Sequence, residues 1–223
     1  MKERTIRFDF AARYFTAGTL DASTKQVWII LHGYGQLAQY FLRKFEPLTA
    51  HNIYFIAPEG LSRFYLSELT AAGRADTKVG ATWMTRENRL TDIENYINFL
   101  DTIFKQELGD QANSIPVTLF GFSQGCATVC RWAIDGHPRF HRLILWAGLF
   151  PPDMDFKKGH DVFADKKTYL VIGNKDHFVN EERMNEFDGL ARQLDITPEK
   201  IVFDGKHELN ESLLQRFATD YTD

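Results

Sequence analysis

Cysteine is scarce in this 223-residue sequence, with Cys126 and Cys130 the only two. Four apart on one expected helix, they read as small buried side chains and not as a disulfide or a metal site. Long apolar runs are missing too. None approaches the ~18 residues of a membrane-spanning helix, so no integral membrane association is expected. The opening residues Met1-Lys2-Glu3-Arg4-Thr5 lead into alternating residues without the apolar stretch of a secretory signal, which makes a cytoplasmic location the expectation. A surplus of basic charge is also lacking. The net charge of −4 offers no basic face, so no nucleic acid or anionic membrane surface is expected as a partner. Repeats, linkers and low-complexity segments are absent, so residues 1–223 read as a single domain. What is present is an ordinary globular composition, 44% apolar and 25% charged, in a chain long enough to bury a core.

The apolar pattern alternates between strands and helices. Thr5 to Phe10 and Arg13 to Thr16 alternate as two strands of an edge hairpin. Gln26 to Leu31 is almost continuously apolar, as suits a central parallel strand covered on both faces. A helix is expected from Leu37 to near Pro47, with Phe41 and Phe45 on one face, and a strand over Ile53 to Ala57. Residues 59–88 have no clear period, and a segment that long is more often functional than idle. Leu90 to Phe104 reads as a helix, with Ile93, Ile97, Leu100 and Phe104 at core spacing. Strands follow at Pro116 to Phe120, Arg142 to Leu149, Thr168 to Gly173 and Lys200 to Phe203, with 151–166 read as loop. Helices complete the pattern at Cys126 to Ala133, Asn180 to Leu194 and Asn210 to Tyr221. Such alternation predicts an α/β fold with a mostly parallel central sheet and helices on both faces.

Chemistry concentrates at Gly121-Phe122-Ser123-Gln124-Gly125, between an expected strand and an expected helix. G-x-S-x-G in that context is a nucleophile elbow, which lifts the serine hydroxyl clear of the sheet edge. Ser123 is thus a candidate nucleophile, and it needs a base and an acid that fixes the base's tautomer. After an elbow the order along the chain is serine, acid, histidine. Asp176, in Asn174-Lys175-Asp176-His177, follows one strand, and His207, in Asp204-Gly205-Lys206-His207, follows the next. His32 and His51 precede the elbow, whereas His137, His141 and His160 precede the acid. His177 is the rival base, with Asp204 as its acid, and Asp204 is also the fallback acid for His207. The oxyanion donors would be the N–H of Gln124 and the N–H of Tyr34, in the loop His32-Gly33-Tyr34-Gly35. The His32 side chain reads as structural. The same loop also fits Gly33-x-Gly35-x-x-Ala38 with Glu59 beyond the next strand, a dinucleotide fingerprint on paper. Two strands are expected ahead of that unit, and the fingerprint would leave Ser123, Asp176 and His207 unexplained.

From about Trp28 to His207 the chain resembles the phospholipase/carboxylesterase branch of α/β-hydrolases, which includes the acyl-protein thioesterases. The resemblance rests on Leu31-His32-Gly33-Tyr34-Gly35, Gly121-Phe122-Ser123-Gln124-Gly125, Trp83, Asp176 and His207. It departs at Gln36, where the family usually has an acid, at Lys206, and at Met84-Thr85 after Trp83. The resemblance implies a lidless α/β-hydrolase fold, no metal, no organic cofactor and a shallow acyl groove. Trp83, Leu61 and Phe64 would contact the substrate, with Phe150 nearby, although aromatics in a chain with 19 Phe are often simply core. The expected activity is hydrolysis of carboxylic esters or thioesters, of small-molecule or lipid origin, through an acyl-enzyme. A perhydrolase, a peptidase or a ligand-binding module on the same fold stays open, as does a monomer or a homodimer.

Overall fold

The computed structural model describes residues 1–67 and 78–220. Its centre is a seven-stranded sheet built from β1 (Tyr14–Ala17), β2 (Gln26–Leu31), β3 (Ile53–Pro58), β6 (Val117–Phe122), β7 (Arg142–Trp146), β8 (Lys167–Gly173) and β9 (Glu199–Phe203). The spatial order is β1-β3-β2-β6-β7-β8-β9. All neighbours are parallel except β1, which runs antiparallel to β3 at one edge. The strands of a parallel sheet are covered on both faces, which is why β2, β3, β6 and β7 are buried throughout. A separate antiparallel pair is formed by β4 (Ser62–Tyr65) and β5 (Val79–Thr82).

Side chains of a strand alternate between faces, so one strand feeds two cores. Val27, Ile29 and Leu31 of β2 point to one face, and Trp28 and Ile30 to the other. The first face is covered by α2 (Arg89–Glu107), α3 (Gln124–Asp135), α4 (Phe156–Phe163) and α5 (Glu181–Gln193), through Leu100, Val129, Phe163 and Phe187. The second is covered by α1 (Ala38–Leu42), a 3-10 turn over Glu46–His51 and α6 (Glu211–Thr219), through Phe41, Leu48 and Phe217. Asp155, Asn180 and Asn210 each cap a helix by accepting a backbone N–H from the residue three further on. Parallel strands joined this way expose all their C-terminal ends at one edge, where β2, β6, β8 and β9 deliver their following loops.

Several expectations need correction. Thr5 to Phe10 is not a strand. β1 pairs with β3 on one side and is the edge strand of the sheet, the arm does not pair with its outer side, and Ile6, Phe8 and Phe10 are exposed. The helix expected from Leu37 to Pro47 splits, because Pro47 sits in the first turn of the following 3-10 helix and starts it instead of ending α1. The irregular stretch 59–88 contains the β4–β5 pair, while 68–77 of that stretch lie outside the described residues. Residues 151–166 carry α4, whose Asp155 cap and buried Gly159 and Phe163 dock it on the core. The strand expected to run to Leu149 stops at Trp146, where Ala147 turns to φ 53°. Helix α6 ends at Thr219, and Tyr221 lies outside the described residues.

Candidate active site

Between the last residue of β6 and the first of α3 there is one residue, Ser123, at φ 53° and ψ −116°. A non-glycine side chain at positive φ is strained by about 1–3 kcal/mol and persists only where its surroundings hold it. Here Ser123 N–H donates to Trp146 O at 2.9 Å from one side. The flanking glycines answer to close approach and not to φ. A Cβ on Gly121 would meet Gly125 O at 2.5 Å, and one on Gly125 would meet Leu31 O at 2.3 Å. The turn is that tight because α3 must start against the end of β2.

Asp176 and His207 arrive from the loops after β8 and β9. Those loops touch, since Asn174 N–H donates to Phe203 O and Lys175 N–H to Gly205 O, both at 2.9 Å. The Asp176 carboxylate is fully buried, with Oδ1 accepting from Phe178 N–H at 2.9 Å and Oδ2 lying 2.7 Å from His207 Nδ1. An ionised carboxylate can only accept, so His207 carries its proton on Nδ1 and leaves Nε2 as the free base nitrogen. Phe122 and Phe178 flank the imidazole, with ring centroids at 5.1 and 4.9 Å. Ser123 and His207 line one open cavity of about 320 Å³. Among the described residues no hydrogen bond joins Ser123 Oγ to His207; in free enzymes this contact is often long and tightens with substrate. The rival groups lie elsewhere: His177 is exposed against Phe178, and Asp204 is held by Lys175 at 2.6 Å.

Three N–H groups of the loop after β2 are committed. Gly33 N–H goes to Gln36 Oε1 at 2.8 Å, Gly35 N–H to Ala81 O at 2.9 Å and Gln36 N–H to Gly33 O at 3.2 Å. Tyr34 N–H has no partner among the described residues. Its peptide plane is fixed from the opposite end, because Gly33 O accepts from His32 Nδ1 at 2.8 Å as well as from Gln36. The tautomer follows from His32 Nε2, which accepts Gly60 N–H at 3.0 Å. His32 is fully buried, and burial holds its pKa below the ordinary value, partly offset by the bond to Gly33. Gln124 N–H, at the first position of α3, has no intrahelical acceptor and adds the positive end of the helix dipole.

The Gln124 side chain has a different task that the sequence pattern did not disclose. Its Oε1 accepts from Thr82 Oγ1 and Trp83 N–H, and its Nε2 donates to Met84 O, so it clamps the chain leaving β5 onto α3. Trp83 is buried beneath this clamp, packed on His32 at 5.0 Å and donating Nε1–H to His32 O. Phe64 lies against the exposed Tyr34 ring, with centroids 5.1 Å apart and the planes tilted by 35°, and Leu61 packs against the core. None of these three lines the cavity of Ser123 and His207. Its apolar wall is Ala127, Leu149, Phe150, Pro151, Pro152, Phe178 and Val179, and its charged members are Arg131, Arg183 and Glu186. Arg131 was findable, as the one cation among the buried residues of α3. Glu59 is unavailable to a ribose: it is buried, paired with Arg13 at 2.7 Å, and accepts the Ala38 N–H that opens α1. Among the described residues no group of three or more His, Cys, Asp or Glu is arranged to hold a metal ion, and no helix is long and apolar enough to cross a membrane.

The family model described as serine hydrolase (FSH1) matches residues 22–213. No curated protein matches the sequence. Among solved structures, the chain is similar to acyl-protein thioesterase 2 of Zea mays, with TM-score 0.66 at 15% identity over 93% of this chain and 96% of that one. It is similar to the carboxylesterase of Bacillus cereus, with TM-score 0.63 at 15% identity over 93% and 92%. Esterase PE8 gives TM-score 0.62 at 18% identity over 93% and 95%. These likenesses are of fold, and they identify the sheet and its two helical layers as those of an α/β-hydrolase.

Proposed function

The chain belongs to the serine hydrolase (FSH1) family, and from that premise we propose that it cleaves carboxylic esters or thioesters through an acyl-enzyme on Ser123. The observation that carries this reading is the buried Asp176–His207 pair, 2.7 Å apart, opening into the cavity that holds the strained Ser123. Ser123 Oγ attacks the acyl carbon while His207 Nε2 takes its proton, and Asp176 orients and stabilises the imidazolium. The carbonyl oxygen becomes an oxyanion held by Tyr34 N–H and Gln124 N–H, each contributing about 3–4 kcal/mol at the transition state. Collapse expels the alcohol or thiol, which leaves with the proton from His207. Water then enters and attacks the acyl carbon as His207 takes its proton; the bond to Ser123 Oγ breaks, His207 returns the proton to Oγ, and the acid leaves. No step requires a metal or an organic cofactor.

The mostly apolar wall of Leu149, Phe150, Pro151 and Pro152 supports short or medium acyl groups of small-molecule or lipid origin. The test is a series of p-nitrophenyl esters from acetate to palmitate with matched acyl-CoA thioesters, and Ser123→Ala as control. Turnover in the variant should fall by on the order of 10⁶-fold, with loss of fluorophosphonate labelling. Turnover within about tenfold of wild type would overturn the mechanism.

A further inference from the structure

One charged side chain in the cavity has no part in the chemistry above. Arg131 lies two turns beyond Ser123 on α3, about 12 Å along the axis, and its Cβ tilts back towards the helix N-terminus where Ser123 sits. Its side chain is nine-tenths buried and lines the same cavity. Nη2 meets Asp153 Oδ1 at 2.6 Å and Nη1 approaches Met84 Sδ at 3.6 Å, but Nε has no acceptor. Asp153 does not neutralise it, because Arg89 pairs with the same carboxylate. Two guanidinium groups therefore share one anion. The other charges on the cavity, Arg183 and Glu186, lie 3.6 Å apart and cancel. The buried Tyr96 hydroxyl lies against the same guanidinium, which interacts with it electrostatically.

Asp153 bridges the two helices, with Oδ1 on Arg131 of α3 and Oδ2 on Arg89 at the start of α2, so one negative charge serves two cations. A buried guanidinium that shares its carboxylate with a second cation carries surplus charge, which is costly unless another anion offsets it. The cavity that Arg131 and Ser123 share has an apolar wall, with Ala127, Leu149, Phe150 and Val179 among its members. Resting on the reading of Ser123 as nucleophile, we propose that the acyl subsite takes half-esters or half-thioesters of short dicarboxylic acids. Arg131 receives the distal carboxylate, the apolar wall covers the methylenes, and the scissile carbonyl is delivered to Ser123. An exclusively hydrocarbon acyl chain leaves Arg131 uncompensated and binds less well.

The experiment pairs substrates of equal length: ethyl hydrogen glutarate against ethyl valerate, and ethyl hydrogen adipate against ethyl hexanoate. Wild type should favour the charged member at least tenfold in kcat/KM, mostly through KM. In Arg131→Met that ratio should collapse to within about threefold, whereas Arg131→Lys should retain part of it. Each ratio is taken within one protein, so a loss of folded fraction cancels. Independently of any variant, glutarate should inhibit wild type at a concentration at least tenfold lower than valerate. Equal or reversed wild-type preference, or an unchanged ratio in Arg131→Met, would overturn the proposal while leaving the Ser123 mechanism standing. Failure of all four esters together with failure of fluorophosphonate labelling would remove the Ser123 mechanism and this proposal with it.

Discussion

His32 makes two bonds with opposite jobs, and a pair of substitutions can separate them. Its Nδ1–H restrains the Gly33 carbonyl, and through that peptide plane the Tyr34 N–H. Its Nε2 satisfies Gly60 N–H, a buried donor in the wall beneath. In His32→Asn the side-chain amide reaches the Nδ1 position alone; in His32→Gln it reaches the Nε2 position alone. The Asn variant strands a buried N–H, which costs about 1–3 kcal/mol of stability. The Gln variant keeps that bond and leaves Gly33 O with Gln36 N–H only, at 3.2 Å. One of two restraints on the proposed oxyanion donor, with a contribution of about 3–4 kcal/mol, is then lost, so we expect roughly 1.5–2 kcal/mol in the barrier. That is roughly ten- to thirtyfold in kcat. The assay is p-nitrophenyl acetate turnover at saturation, alongside urea unfolding. His32→Gln should lose kcat at near-constant KM and stability, and His32→Asn should lose stability at near-constant kcat. Equal kcat losses in the two variants, or losses confined to KM, would refute the reasoning.

Stability should also depend on pH through the buried imidazole. Burial keeps the folded pKa of His32 below the unfolded value of about 6.5, so the unfolded chain binds the extra proton first. The contribution is complete above that value and is lost as pH falls below it towards the lowered folded pKa; His141, also depressed by burial, adds with the same sign. Urea midpoints measured from pH 8 to pH 5 should fall, and less steeply in His32→Asn. Replacing Gln124 by Leu removes the clamp on Thr82, Trp83 and Met84, and should expose the amides around β5 to faster hydrogen exchange. Glu107 accepts from both Tyr14 and Tyr54 at 2.6 Å, and their phenols are pushed up to about 12, for Tyr14 first by that bond and for Tyr54 first by burial. Spectrophotometric titration of Glu107→Gln should bring Tyr14 back towards 10, and Tyr54 only part of the way.

The sheet is legible in the sequence because parallel strands are buried on both faces, and runs such as Val27 to Leu31 or Leu143 to Trp146 have no other use. The meeting of Asp176 and His207 follows from chain order once those strands are parallel, since both loops must leave from one edge. What escaped is of three kinds. The arm through Ile6, Phe8 and Phe10 has the alternation of a strand, but pairing depends on a partner that local pattern cannot supply. Helix α4 is two turns long, and its apolar residues Phe156, Val162 and Phe163 are too few to announce a period. The side-chain amides of Gln36 and Gln124 act through bonds to partners 3 to 42 residues away, which no periodicity encodes. Arg131 was visible as a charge on a mostly apolar face, yet only the cavity tells that the face borders a site. Trp83 belongs to the opposite case: a recognisable residue that stands under the loop after β2 and not on the cavity wall.

The backbone at Ser123 has a consequence for anyone evolving this protein. A left-handed φ of 53° is comfortable for glycine and uncomfortable for serine. Random variation screened only for heat resistance or soluble yield would therefore accumulate Ser123→Gly, and with Ser123 as the proposed nucleophile the survivors would be sturdier and inert. Laboratory selection has to demand turnover at every round, because at this one position fitness for folding and fitness for reaction point in opposite directions.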